Sequence, residues 1–214
     1  MNCELPKFRG PLKKNDGLFI YGAAQKKPFL LVYEQKEVEI VHGPSCRNLH
    51  DEIFVGQCEA DGVPIMERRG GGGTVVLSSG VIVTVVVGEK KKNDGALDIF
   101  HRIHDAFIPA LCEAGVANAT HEGISDLAVN GKKVLGSSLY MGSSTPFYYY
   151  QSSLMVSCDL SLLDRYLRHP PREPEYRKGR AHSEFCANLN EFGLSVDIGE
   201  LALLIESSLK RHPI

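Results

Sequence analysis

The chain lacks an excess of charge of either sign. Its 214 residues carry 24 Lys and Arg against 26 Asp and Glu, a formal net charge of -2 and a pI near 6.4. Nucleic-acid binding draws on a surplus of cations that displaces phosphate counterions, so that partner class is excluded. Long apolar runs are also missing. The amino-terminal stretch MNCELPKFRG holds Glu4 and Pro6 and never builds the apolar segment of a secretory signal or a membrane span, so a cytoplasmic location without membrane partners is expected. Six cysteines (Cys3, Cys46, Cys58, Cys112, Cys158, Cys186) form no CxxC pair and no Cys/His ligand spacing, which argues against a disulfide framework or a zinc site and leaves small, reduced, apolar side chains. No internal repeat and no low-complexity linker divides the sequence. With 43% hydrophobic residues the chain has enough apolar surface for a substantial core, and one domain over residues 1–214 is expected.

What is present is a mixture of strand and helix signals. Phe29 to Tyr33 and Glu37 to Val41 are short β-branched and aromatic runs that predict a hairpin or an adjacent pair of strands. Thr74 to Val87, TVVLSSGVIVTVVV, is the clearest strand signal. Its unalternated second half predicts a strand buried on both faces, and Ser78-Ser79-Gly80 predicts a turn or bulge within it. Leu97, Phe100, Ile103, Phe107, Leu111 and Ala114 recur at helical spacing up to Gly115, which predicts a core-facing helix bent at Pro109. The Lys90-Lys91-Lys92 run before it reads as a solvated loop.

Leu127 to Val129 and Lys132 to Leu135 flank Asn130-Gly131, the pair that supplies the positive φ angles of a type I′ hairpin turn. Phe147 to Val156 predicts a further strand, Asp159 to Leu167 a short helix opened by Asp159, and the proline-rich Pro170 to Arg180 a loop. Asp197 to Arg211 closes the sequence as an amphipathic helix with acids at its start and Lys210-Arg211 at its end. Hairpins mixed with helices, without strict βαβ alternation, predict an α+β fold with a mixed, largely antiparallel sheet backed by helices.

Three segments are candidates for chemistry. Arg68-Arg69-Gly70-Gly71-Gly72-Gly73-Thr74 precedes the strongest strand; its glycines let main-chain N–H groups approach an anion closely, and its arginines add charge-assisted hydrogen bonds. It is not a P-loop, because no Gly-Lys-Ser/Thr follows and a strand comes next. A flexible exposed turn with incidental arginines is the alternative. Lys132 and Lys133 follow the Asn-Gly turn, and on a strand two successive lysines point to opposite faces, so one faces a cleft if there is one; taken alone, such a pair is most often plain surface charge. Gly136-Ser137-Ser138 offers small residues where a ligand can lie against the backbone. Arg177, Lys178, Arg180 and His182 form a basic cluster behind the proline-rich loop, able to close over an anion or simply to be exposed.

Together these segments resemble the lipoate protein ligase A family of the biotin/lipoate ligase superfamily. The family's arginine and triple-glycine motif is matched by Arg69, Gly71, Gly72 and Gly73, and its aspartate, strand, lysine and Gly-Ser run by Asp126, Lys133, Gly136 and Ser137. Gln151 to Met155 with Asp159-Leu160, and Arg172 to Arg180 with His182, Phe185, Asn188 and Leu189, are similar to its later strand, helix start and loop. The resemblance runs in order from about Val38 to Leu189. It implies a class II synthetase or biotin ligase-like catalytic domain that uses ATP and Mg2+ to activate lipoate, or a similar medium-chain acid, as an acyl-adenylate and passes it to a lysine of a lipoyl-domain or H-protein-like carrier.

Under the resemblance Lys133 is the catalytic cation. Arg69, Gly71, Gly72, Gly73, Thr74, Asp126, Gly136 and Ser137 bind substrate or nucleotide, Asp126 helps hold the metal, and Arg177, Arg180 and His182 belong to a closing loop. The sequence departs from the family at Leu77, Ser78 and Val81, where a His-Asp pair and a Gly-Asn are common, and at Gln151, where histidine is frequent. It is expected to have no C-terminal accessory domain, so that a separate accessory-domain protein is a conceivable partner. Two other readings stay open: an ATP-independent octanoyl or lipoyl transferase of the same fold, and a non-catalytic relative that binds lipoyl carriers. Against a cysteine-dependent transferase, the segment Asn118 to Ser125 holds no cysteine. A biotin ligase fits less well, because its arginine-rich glycine motif differs from Arg68 to Gly73.

Overall fold

The β-branched run after Gly80 has no polar face to give to water, and in the computed structural model, which describes residues 13–25, 28–143 and 145–212, it becomes a nine-residue strand buried at every position but its last. In chain order the elements are α1 (Asp16–Ala23), β1 (Phe29–Glu34), β2 (Glu39–His42), α2 (Leu49–Glu52), α3 (Val55–Ala60), β3 (Ile65–Glu67), β4 (Val75–Leu77) and β5 (Val81–Glu89). There follow α4 (Ala96–Glu113), β6 (Ala119–Glu122), β7 (Asp126–Val129), β8 (Lys132–Tyr140), β9 (Phe147–Met155), α5 (Ser161–Tyr166), α6 (His182–Phe185) and α7 (Ile198–Arg211). Six strands form one sheet in the order β1-β5-β9-β8-β7-β6, with every pairing antiparallel. A second sheet, β3-β2-β4, has one parallel and one antiparallel pairing. The fold is α+β with a largely antiparallel sheet backed by helices, as expected.

Gly80 makes the break between β4 and β5 abrupt. Its φ is +83°, and a Cβ there would stand 2.6 Å from the backbone of Ser157 and Cys158, so only glycine fits. The predicted interruption therefore divides the run between two sheets. The preceding pair follows the division: β1 pairs with β5 and β2 with β4, so the hairpin expected from Phe29 to Val41 does not form.

Strand β5 is apolar on both sides. Ile82 and Val86 join the core built with α4 and α7, while Val81, Val83, Val85 and Val87 pack with Phe19 of α1 and Tyr149, the period-2 alternation of a doubly covered strand. In α4 the buried row is Ile99, Phe100, Ile103, Ala106, Phe107, Ala110 and Leu111, with Pro109 inside the helix. Leu97, expected to face the core, is 48% exposed, because it lies on the i, i+4 row shared with the exposed His101 and Asp105.

The Asn130-Gly131 hairpin forms as predicted, with φ of 51° and 74° at the two turn residues and Val129 opposite Lys132. Strand β9 and helix α7 also match expectation, and Asp197 caps α7 by accepting from the Glu200 N–H at 2.8 Å. The predicted helix from Asp159 is shorter, starting at Ser161, with the Asp159 carboxylate accepting from the Ser161 N–H at 2.9 Å. The Pro170 to Arg180 segment is a loop apart from one 3-10 turn, Glu175–Arg177. Cys3, Glu4 and Pro6 lie outside the described residues. No helix among the described residues is long and apolar enough to cross a membrane.

Candidate functional site

Strand β8 carries an irregularity that decides where its lysines point. Lys133 pairs with Ala128 and Leu135 with Leu127, leaving Val134 as an extra residue. One added residue reverses the alternation beyond it. Val134 and Leu135 consequently both enter the helix-side core, and Lys133 shares the opposite face with Gly136. A cavity of about 220 Å3 lies on that face.

The Lys133 ammonium projects into this cavity, 2.8 Å from Asp126 Oδ1. Its side chain lies directly over Gly136, where a Cβ would stand 2.8 Å from both Lys133 Cε and Nζ. The other Asp126 oxygen accepts from the Tyr176 hydroxyl at 2.9 Å. Burial, then the Asp126 charge, pushes the Tyr176 phenol far above its usual range, so it stays a donor. Lys132 points away, 3.9 Å from Glu191, as strand alternation requires.

The glycine segment crosses the same cavity. Arg68 is 5% exposed, and its guanidinium donates to the carbonyls of Val41 (3.0 Å), Gly71 (2.9 Å) and Gly73 (2.7 Å). Burial lowers its pKa to about 10, which still leaves it cationic at neutral pH. Gly70 lies flat on β8, since a Cβ there would meet Ser138 Oγ at 2.8 Å. Gly72, with φ of +99°, Gly73 and Thr74 border the cavity, and Gly71 does not.

The two arginines face different ways. Arg69 forms a bidentate pair with the buried Asp16 of α1, at 2.6 and 2.7 Å, and is not among the cavity residues, whereas Arg68 is. Successive side chains of an extended segment point oppositely, so the resemblance's choice of Arg69 and the structure's placement of Arg68 are one residue apart.

Of the closing-loop residues, Arg177 and His182 border the cavity and Arg180 does not. Arg180 braces the loop instead, donating to Tyr176 O at 2.7 Å and Gly131 O at 3.1 Å. Burial lowers the His182 pKa, and its ring Nε2 lies 3.1 Å from Arg168 O, so the neutral ring donates to that carbonyl.

Gly136 and Ser137 both border the cavity, but the Ser137 hydroxyl is committed elsewhere. It donates to Ser125 O at 2.7 Å and must therefore accept from His104 Nε2, 3.1 Å away. Burial, with His121 and His101 adding, lowers the His104 pKa to about 3, consistent with a neutral donor. Leu77 and Val81 line the cavity and Ser78 does not.

Sequence reasoning missed Lys14 and Asn15, which also border the cavity, and the role of Tyr176, whereas Ser138, singled out with Gly136 and Ser137 as a small residue beside a ligand, borders it as expected. Period-2 alternation from Gly136 identifies Ser138; nothing local identifies the others, which arrive from distant segments. No group of three His, Cys, Asp or Glu side chains among the described residues is arranged to hold a metal ion. Asp126 is the carboxylate among the cavity residues, so these residues could hold magnesium only together with ligands from outside the protein.

The family model described as the lipoyl protein ligase A/B catalytic domain matches residues 20–210. No curated protein matches by sequence. Among solved structures, a bipartite archaeal lipoate protein ligase from Thermoplasma acidophilum, studied with its E2 lipoyl domain, superposes with a TM-score of 0.73 at 20% identity over 87% of this chain and 71% of that one. A putative lipoate protein ligase of T. acidophilum with bound lipoic acid gives 0.71 at 19% identity, over 87% of this chain and 73% of that one. A lipoate-protein ligase A bound with ATP gives 0.70 at 20% identity, over 87% and 72%. These likenesses show the fold.

Proposed function

Because the chain belongs to the lipoyl protein ligase A/B catalytic-domain family, we propose that it is a lipoate-protein ligase that activates a lipoate-type acid with ATP and transfers the acyl group to a carrier lysine. The observation that carries this reading is the Lys133 ammonium, held by Asp126 in a cavity walled by Val41, Val76, Val81 and Val83 and crossed by the Arg68-knit glycine loop. An apolar pocket with one fixed cation suits an acid with an apolar chain. One solved relative holds lipoic acid and another ATP, which supports both substrates.

In the first step a carboxylate oxygen attacks the α-phosphorus of ATP, forming the acyl-phosphate bond as the bond to pyrophosphate breaks. Lys133 neutralises the carboxylate on binding and then the charge shared by the acyl and phosphate oxygens. Gly72, Gly73 and Thr74 would bring main-chain donors to the adenylate, and Arg68 holds the loop by bonding the Gly71 and Gly73 carbonyls. Arg69 acts at one remove, through Asp16 and α1. Magnesium, when bound with the nucleotide, would neutralise phosphate charge, and Asp126 is the carboxylate that would help hold it. In the second step the neutral carrier amine attacks the acyl carbon, the C–O bond breaks and AMP leaves. A lipoyl domain is the proposed carrier, the partner with which the archaeal ligase was studied.

The cysteines support the ATP route over a thioester route. Cys46 and Cys158 are both raised to about 11, chiefly by burial, and burial also raises Cys58 and Cys186, so these thiols stay protonated and poorly nucleophilic near neutrality. Pyrophosphate release on mixing protein, ATP and lipoate is the expected result, followed by ATP-dependent lipoylation of a lipoyl domain. Transfer from an octanoyl carrier without ATP would instead make it a transferase, and silence in both assays, with and without an added accessory-domain protein, a binding relative.

A further inference from the structure

The loop after α5 is bonded as one unit. Arg177 Nε donates to Arg180 O at 2.9 Å and Arg180 Nε to Arg177 O at 3.0 Å, both guanidinium groups lie over the Phe185 ring, and the Gly179 N–H donates to Glu173 Oε1 at 2.8 Å. Two of its side chains reach the two ends of β7. Arg180 Nη2 donates to Gly131 O at 3.1 Å, just past the last residue of that strand, and the Tyr176 hydroxyl donates to Asp126 Oδ2 at 2.9 Å, at the first. The turn before β7 is close as well, since a Cβ on Gly123 would already touch Pro174 at 3.4 Å and Tyr176 at 3.7 Å.

Asp126 therefore receives one donor on each oxygen, Lys133 Nζ on Oδ1 at 2.8 Å and the Tyr176 hydroxyl on Oδ2. A carboxylate tied only to the end of a flexible lysine stem can turn together with it. The second donor removes that freedom. Asp126 is 6% exposed, which leaves water little room to take the place of the phenol. The Tyr176 ring packs on Phe185 with centroids 5.0 Å apart, a contact that phenylalanine would make equally well, so packing does not account for the hydroxyl.

Resting on the ligase reading, we propose that Tyr176 is a positioning residue for adenylate formation: its hydroxyl fixes the Asp126 carboxylate, which in turn holds the Lys133 ammonium where the acyl and phosphate oxygens share charge. The loop, docked on β7, thereby completes the support of a catalytic cation that it does not itself carry. Lys133 can bind the acid's carboxylate as a mobile cation, whereas the transition state needs the charge already in place. The hydroxyl consequently acts on kcat and little on KM.

Tyr176→Phe keeps the ring and removes only the donor. In the pyrophosphate-release assay its kcat should fall about tenfold or more, the worth of one hydrogen bond to a charged group. KM for lipoate and for ATP should stay within about twofold of wild type, and the melting temperature should drop by no more than about 4 °C. Asp126→Ala supplies the second arm, read by single-turnover adenylate formation with enzyme in excess so that slow variants are still measured. In that background Tyr176→Phe should cost less than about twofold further, because the hydroxyl has nothing left to fix. A role confined to keeping the loop folded would instead raise KM for ATP with kcat held, or cost the Asp126→Ala protein the full factor as well. Either result, or an unchanged kcat in Tyr176→Phe, overturns the proposal and leaves the ligase reading standing. If the wild type releases no pyrophosphate from ATP and lipoate, with or without an added accessory-domain protein, the ligase reading falls and the proposal falls with it.

Discussion

The two faces of the six-stranded sheet use the same strands for opposite ends. On the helix side Ile82, Val86, Val134, Leu135 and Leu154 meet Phe107 and Leu111 of α4 and Leu201 and Ile205 of α7 in a closed apolar layer. On the other side the same strands present Lys133, Gly136, Ser138, Gln151 and Ser153 to a cavity. The helix face gains stability from close packing, whereas the cavity face holds polar groups whose full complement of partners the protein does not supply. The difference teaches that here stability and chemistry are separated by one residue step along a strand, with the extra residue Val134 marking the boundary.

That separation can be broken by experiment. The largest effect should come from the packed face: Phe107→Ala, at a 0% exposed site, should cost about 3–5 kcal/mol of stability in chemical denaturation, with KM for the acid unchanged in the fraction that stays folded. Next, Lys133→Ala should lower adenylate formation by about 10²–10³-fold, the magnitude typical of one electrostatic donor. Its melting temperature should stay close to wild type, and Lys132→Ala should remain active. If Lys132→Ala were the inactive variant, the assignment of faces on β8 would be wrong.

Gly136→Ala sits between the two. Its methyl would crowd the far end of Lys133, which can move, and make ordinary contact with Asp126 Oδ1 at 3.7 Å, so stability should change by less than about 0.5 kcal/mol. The displaced ammonium should nevertheless cost up to about 100-fold in rate, read by pyrophosphate release beside a thermal melt.

A smaller effect is a pH dependence that belongs to the helix side. His104 titrates at about 3 in the folded protein, because burial and the neighbouring His121 and His101 disfavour its cation, against about 6.5 in an unfolded chain. As pH falls between those values the unfolded state takes up a proton that the folded state refuses. Stability from this group is thus fully present above about 6.5 and declines by about 1.4 kcal/mol per pH unit below it. His104→Gln, which keeps a donor for Ser137, should flatten that part of a stability-against-pH curve. The smallest effect is none: Cys112→Ser and Cys158→Ser should leave ATP-dependent lipoylation within about twofold of wild type, and no hydroxylamine-sensitive acyl-protein should accumulate. A thioester on either cysteine would join the polar face to a different chemistry.

The sequence by itself determined what depends on neighbours in the chain. The Asn130-Gly131 turn, the doubly buried β5, the interruption at Gly80, and the helices α4 and α7 all follow from period, propensity and capping, because each is announced by residues within one short segment of the chain. The ordered motifs around Arg69, Asp126 and Lys133 likewise carried the family. What only the tertiary structure decided are contacts between residues far apart. Strands β1 and β2 took separate partners because the break at Gly80 sent β4 and β5 to different sheets. Lys133 came over Gly136 because of a bulge with no local signature, and Arg68 rather than Arg69 reached the cavity because Asp16, 53 positions away, holds the other guanidinium. Tyr176 bonds Asp126 across 50 positions, and His104 holds Ser137 across 33. A lone side chain's spacing cannot announce such partners, since the energy that fixes them comes from burial and hydrogen bonds formed only once the sheet is assembled.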